Sequence, residues 1–156
     1  MERTPLHDYA DEIGLWMEDR GLPRMSGRVL GWLMVCEPAH QSADELAEAL
    51  LASRGAISMS VRMLMDGGSV ERFPVAGTRR TYYRLRPGFW LREAEDKARM
   101  AGEWRKITER GLQLLSDRDE ASRQRVQEAH DMYAFLEAEY GRIRDRWLEH
   151  RARKET

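Results

Sequence analysis

The stretch from Ser42 to Leu85 constrains the fold of this chain more than any other. Ser42-Ala43-Asp44-Glu45 is a capping box: the Ser42 hydroxyl can accept from the Glu45 backbone N–H while the Glu45 side chain reaches back to the Ser42 N–H. Leu46, Leu50 and Leu51, with Ala47 and Ala49, supply an apolar face. A helix of about two to three turns is too short to stand alone in water, so it must pack on a neighbour. A second helix starts near Ser53, a good N-cap. Its Ile57, Val61, Leu64 and Met65 share one face at helical spacing, and Arg54, Ser58, Met59 and Arg62 share the other. Gly67-Gly68 stops it.

A hairpin follows directly. Val70-Glu71-Arg72-Phe73 has strand-forming residues and is ended by Pro74. Thr81 to Leu85 is the second strand, with Thr81, Tyr83 and Leu85 on one face. Gly77 permits a tight turn between them, and Arg79-Arg80 follow it. A basic loop at a hairpin tip can lie along a phosphate backbone or enter a minor groove. Two helices about three residues apart, then a hairpin, are the plan of a winged helix-turn-helix, a DNA-reading module.

Charge supports that plan. From Ala52 to Arg92 there are eight arginines against Asp66 and Glu71, so the segment is +6. The whole chain is −1, which leaves −7 for the remainder. Nucleic acid is the usual reason to concentrate positive charge in one module, and arginine suits bidentate contacts to guanine or phosphate. The alternative is a solvated surface whose arginines pair with acids elsewhere.

Helices flank the module. Residues 6–20 place Tyr9, Ile13, Trp16 and Met17 on one face, and Gly21-Leu22-Pro23 breaks that helix. The next runs to about Cys36 and is apolar almost all round, which predicts a central, buried helix. Its Gly27 and Gly31, four apart, allow close approach of another helix, and Arg28 needs an acid from a neighbour. After the hairpin, helices are expected at about 89–115 and from about Ser122 to the early 150s. In the last, Val126, Ala129, Tyr133, Leu136, Tyr140, Ile143 and Trp147 alternate gaps of three and four, a heptad seam. The fold class expected is mainly α with a small β-hairpin: a DNA-binding module over residues 23–88, and a helical dimerisation arm formed by 1–22 and 89–156. Dimerisation would set two recognition helices about one helical turn of DNA apart, roughly 34 Å.

These residues allow a family comparison. The chain resembles the MarR superfamily of bacterial winged-helix regulators, and within it the branch named for the glycine betaine repressor, the GbsR-like proteins. The resemblance rests on Gly21-Leu22-Pro23-Arg24, Gly27 to Leu33, Ser42 to Ala47, Ser53 to Ser58, Val70-Glu71-Arg72 and Gly77-Thr78-Arg79-Arg80. It implies a homodimer on a pseudo-palindromic operator, usually a repressor, often released by a small-molecule effector. It implies a recognition helix at about Ser53 to Asp66, with Arg54, Ser58, Met59 and Arg62 toward the major groove and Arg79 and Arg80 at the wing tip. Ser42 would offer a helix N-terminus to a phosphate. Ser53, Arg72 and Thr78 complete the expected DNA-binding set. Met59 could meet a thymine methyl, whereas Met63 fits either the groove or the core.

Five tryptophans are many for 156 residues. Trp16, Trp32, Trp90 and Trp104 fall in segments bordering the junction of module and arm, so they are candidates for an effector pocket; aromatic faces suit the quaternary ammonium effectors of the betaine-sensing relatives. Ordinary core and interface roles are the alternative for each. Cys36, followed by Glu37, is expected to be a plain buried thiol with a raised pKa. The four histidines show no metal-ligand spacing, and no nucleophile–base pair or phosphate loop is present, so neither metal, cofactor nor enzymatic activity is expected. No apolar run approaches a membrane span and the first twenty residues are rich in acids, which predicts a cytoplasmic, nucleoid-associated bacterial protein. The competing readings are a winged-helix protein-interaction scaffold and an architectural DNA binder without operator specificity.

Overall fold

The computed structural model describes residues 3–154. In chain order the elements are α1 (Pro5–Glu18), α2 (Arg24–Val35), β1 (Gln41–Ser42), α3 (Ala43–Ala49), α4 (Arg54–Asp66), β2 (Val70–Phe73), β3 (Tyr82–Leu85), α5 (Phe89–Leu114) and α6 (Glu120–Lys154). They form two compact units, one ending at Phe89 and the other starting at Trp90.

In the first unit, α1 and α2 touch backbone to backbone. A Cβ added at Gly27 would lie 2.6 Å from the Ile13 carbonyl oxygen, and one at Gly31 would lie 2.9 Å from the Ala10 Cα. Only glycine allows this approach, as the four-residue spacing implied. Arg28 finds its acid there: it pairs with Asp11, which also receives Arg3. Burial alone would raise the Asp11 pKa, but the hydrogen bond and charge of Arg28, helped by Arg3, outweigh it and lower the value. Helix α1 packs on α2 within this unit.

The core joins α2, α3, α4 and the sheet. Ala10, Val29, Leu33, Leu46, Leu50, Ile57, Val61, Leu64 and Val70 are all buried in it. Helix α2 is central, as expected, but not apolar-buried all round: Met34 is partly exposed. The capping box of α3 forms as read. Ser42 Oγ accepts from the Glu45 N–H at 3.3 Å, and the Ser42 N–H donates to the Glu45 carboxylate at 2.6 Å. The last turn of α4 ends in a Schellman motif, in which the Ser69 N–H reaches the Leu64 carbonyl and the Gly68 N–H that of Met65. Gly68 supplies the left-handed residue this requires, with φ +75°.

Two local expectations fail. Leu51 does not belong to the apolar face of α3: it sits in the turn before α4 with φ +50° and is 81% exposed. The reversal between two closely spaced helices demands a left-handed residue there, and that conformation turns its side chain out to water. The sheet also has three strands, not two. The two-residue β1 pairs antiparallel with β3, Gln41 opposite Tyr83 and Ser42 opposite Tyr82, giving the order β1-β3-β2.

The second unit is an antiparallel pair of long helices. Arg105 Nε donates to the Glu137 carboxylate at 2.6 Å, Trp104 stacks on Tyr133 with centroids 5.4 Å apart, and Arg144 pairs with Glu95. Asp119 caps α6 by accepting from the Ser122 N–H at 2.7 Å. No residue of α6 is buried within one chain, and Met132, Phe135, Trp147 and Leu148 are exposed.

Candidate nucleic-acid interface

Helix α4 has two faces with different chemistry. Ile57, Ser60, Val61 and Leu64 are buried. Arg54, Ser58, Met59 and Arg62 are exposed, Met59 to 75%. Exposed Ser53 caps the helix by accepting from the Ala56 N–H at 3.2 Å. Met63 resolves toward the interior, where its sulfur accepts from the Ser26 hydroxyl of α2 at 3.4 Å. At 75% exposure Met59 gains little from burial in the folded chain.

The wing is built on the register Val70 opposite Leu85 through Phe73 opposite Tyr82. The loop between the strands turns at Gly77, with φ +81°, and carries exposed Arg79 and Arg80. Thr78 Oγ1 accepts from the Arg80 N–H at 3.0 Å, which shapes the loop around its own backbone. Where the wing leaves the body, the His40 ring lies 4.9 Å from Phe73 and 5.2 Å from Tyr82. The Glu45 carboxylate is held below its ordinary pKa, chiefly by the Ser42 N–H and hydroxyl, with smaller contributions from Arg80 and His40. The wing arginine therefore shares its field with the start of α3.

The eight arginines of the basic segment do not all remain available. Glu71 takes two: Arg84 at 2.8 Å and Arg86 at 3.6 Å, with the Arg84 guanidinium also over the Phe73 ring. These brace the sheet. Arg54 pairs with Asp44 of α3 at 2.9 Å. Among the described residues, no ion pair engages Arg62, Arg72, Arg79 or Arg80. The sequence does not reveal these pairings: Asp44 reads there as one more acid in the first turn of a helix, and Glu71 as one acid set against eight arginines.

Ser42 leaves the expected set. It is 4% exposed, and both its hydroxyl and its N–H point to the Glu45 carboxylate, so a phosphate would meet a negative charge there. Of the four candidate tryptophans, Trp16 and Trp32 lie in the first unit and Trp90 and Trp104 in the second. Trp90 and Trp104 are fourteen positions apart on α5, roughly 21 Å along its axis. Trp32 lies against His7, Trp16 lies under the Arg20 guanidinium at 3.8 Å, and Trp104 faces Tyr133. The Cys36 thiol has a raised pKa, first through burial and then through Glu45, not the adjacent Glu37.

A capped two-helix turn with one helix face open to solvent, and a hairpin wing with exposed arginines at its tip, define a winged-helix DNA-binding protein. A profile described as the MmpR5-like MarR family transcriptional regulator matches residues 88–151. The chain is 42% identical over 130 residues to the HTH-type transcriptional regulator MmpR5 of Mycobacterium tuberculosis strain H37Rv, covering 83% of this chain and 79% of the relative. It is also similar to a crystal structure of a transcriptional regulator, with a TM-score of 0.80, 38% identity, and coverage of 94% of this chain and 99% of the other. The chain belongs to the MarR family of transcriptional regulators, in its MmpR5-like group. The glycine betaine branch expected from the sequence finds no support in these matches. The family is one of transcriptional regulators, not of enzymes. Among the described residues, no helix is long and apolar enough to cross a membrane.

Proposed function

We propose that this regulator is a homodimeric repressor that seats α4 of each protomer in successive major grooves of a pseudo-palindromic operator in the bacterial cytoplasm. Arg54, Ser58, Met59 and Arg62 read base edges, while Arg72, Thr78, Arg79 and Arg80 follow the backbone or the adjacent minor groove. The observation that carries the reading is the open face of α4, exposed at all four of these positions while its opposite face closes the core. Residues 23–88 form the DNA-binding module. The arm of α5 and α6, with α1, supplies the dimer contact; Met132, Phe135 and Leu148 lie exposed on α6 for that purpose. A second copy covers them at the cost of association entropy, which a long helical seam can offset. Release by a small-molecule effector belongs to the same reading, and any such ligand must prefer one spacing of the two recognition helices.

The wing assignment is tested by replacing Arg79 and Arg80 together with alanine. Affinity for all duplexes should fall, and the slope of log K against log salt should become shallower by about two. Unchanged binding would remove the wing from the interface.

A further inference from the structure

The geometry points to Asp44 as a positioning residue for DNA recognition: its carboxylate holds the Arg54 guanidinium at the head of α4 so that this arginine discriminates between bases. The inference rests on the DNA-binding reading above. Arg54 is the first residue of α4 and Asp44 the second of α3, so the pair bridges the two helices of the helix-turn-helix. Asp44 Oδ1 stands 2.9 Å from Arg54 Nη2, with side chains 53% and 79% exposed.

A carboxylate on a surface that meets phosphates repels them, so its presence needs a reason. Stability is a poor one, because an ion pair this exposed contributes little. Capping is a poor one too, since Glu45 already serves the N-terminus of α3 through the N–H and hydroxyl of Ser42. Of the other acids that pair with arginines in this unit, Asp8 and Glu18 make exposed pairs with Arg3 and Arg24 on and beside α1, and Asp11 and Glu71 sit between packed elements on Arg28 and on Arg84 and Arg86. Asp44 alone among these reaches an arginine of the open α4 face.

What the pair does follows from guanidinium chemistry. An unrestrained arginine is a flexible cation that any phosphate attracts. One carboxylate oxygen at Nη2 restrains the fork and leaves the Nε and Nη1 hydrogens to donate. Restraint favours a directed contact with the O6 and N7 acceptors of guanine, and partial neutralisation weakens the attraction to phosphate. Asp44 thus lowers affinity for all DNA and raises the difference between right and wrong sites.

The test compares wild type, Asp44→Asn, Asp44→Glu, Arg54→Ala and the Asp44→Asn/Arg54→Ala double variant. Fluorescence anisotropy is read on an operator recovered by selection and on a random duplex of equal length, at several salt concentrations, with thermal unfolding as the check on folding. Asp44→Asn should bind random duplex about threefold more tightly and with a steeper salt slope. Its gain on the operator should be smaller, so the operator-to-random ratio falls. Asp44→Glu should keep the wild-type ratio, and in the Arg54→Ala background Asp44→Asn should leave the ratio unchanged. A ratio unaltered by Asp44→Asn, or a loss of ratio that persists without Arg54, overturns the positioning role and leaves DNA binding standing. Failure of the wild type to bind either duplex at low salt overturns the DNA-binding reading itself.

Discussion

Substituting Gly27 by alanine tests the packing on which the whole first unit rests. The added Cβ would stand 2.6 Å from the Ile13 carbonyl oxygen and 2.7 Å from the Gly14 Cα, both backbone atoms of α1. Such contacts need more than half an ångström of extra separation, and backbone cannot swing away as a long side chain can. Overpacking of this kind costs about 1–3 kcal/mol. Alanine returns up to about 1 kcal/mol through its better helix propensity. The net expectation is a loss of about 1–2 kcal/mol, or roughly 2–8 °C in Tm for a chain of this size. Gly141→Ala provides the control. Gly141 lies within α6 with nothing inside 4 Å of its would-be Cβ, so the same change should stabilise by up to about 1 kcal/mol. Both are read by circular dichroism at one fixed protein concentration, because self-association of the proposed kind makes Tm depend on concentration. Gly27→Ala as stable as wild type, or less harmful than Gly141→Ala, would refute the close-approach argument.

Leu51→Gly should raise Tm, because it relieves a left-handed leucine worth about 1 kcal/mol and gives up little burial at an 81% exposed position; a lower Tm would mean that the leucine makes a contact in the assembled protein. Glu45 has a depressed pKa in the folded state, so its contribution is present above the unfolded carboxylate value, about 4.3, and is lost as pH falls through the lower folded one. Glu45→Gln should therefore reduce stability at pH 7 and flatten its decline in acid; parallel curves for the two proteins would sink the assignment. Phe135→Asp places a charge on the exposed apolar face of α6 and should yield monomers by light scattering. A dimer of unchanged affinity would move the interface elsewhere.

Local signals in the sequence were legible where the physics is local. The Ser42 capping box, the Ser53 cap and the Gly67-Gly68 stop each depend on residues within one or two turns, and each stands in the structure where the sequence put it. The glycine spacing of α2 was legible because only close approach rewards it. Strand β1 was not, since two residues carry no alternation and their partner lies some forty positions away in β3. Leu51 was misread because leucine favours helix and burial, and the tertiary turn overrode both. Counting arginines gave the basic segment but could not reveal that Glu71 absorbs Arg84 and Arg86 or that Asp44 holds Arg54. The branch was misjudged for a related reason. The motifs behind the resemblance all lie between Gly21 and Arg80, in a module with shared physical requirements, whereas the family profile matches residues 88–151. In those long helices many sequences satisfy the same heptad, so periodicity carries little information about kinship.

On the proposed reading, two copies of α4 together read a specific DNA sequence. Its most direct measurement is capture of sheared DNA from the source genome at several salt concentrations, followed by sequencing of what is retained. A steep negative salt dependence is expected, with enrichment of an inverted repeat whose half-sites lie about one helical turn apart. Retention without sequence enrichment would contradict operator reading and leave an architectural binder, and no retention at any salt would contradict the DNA-binding assignment altogether.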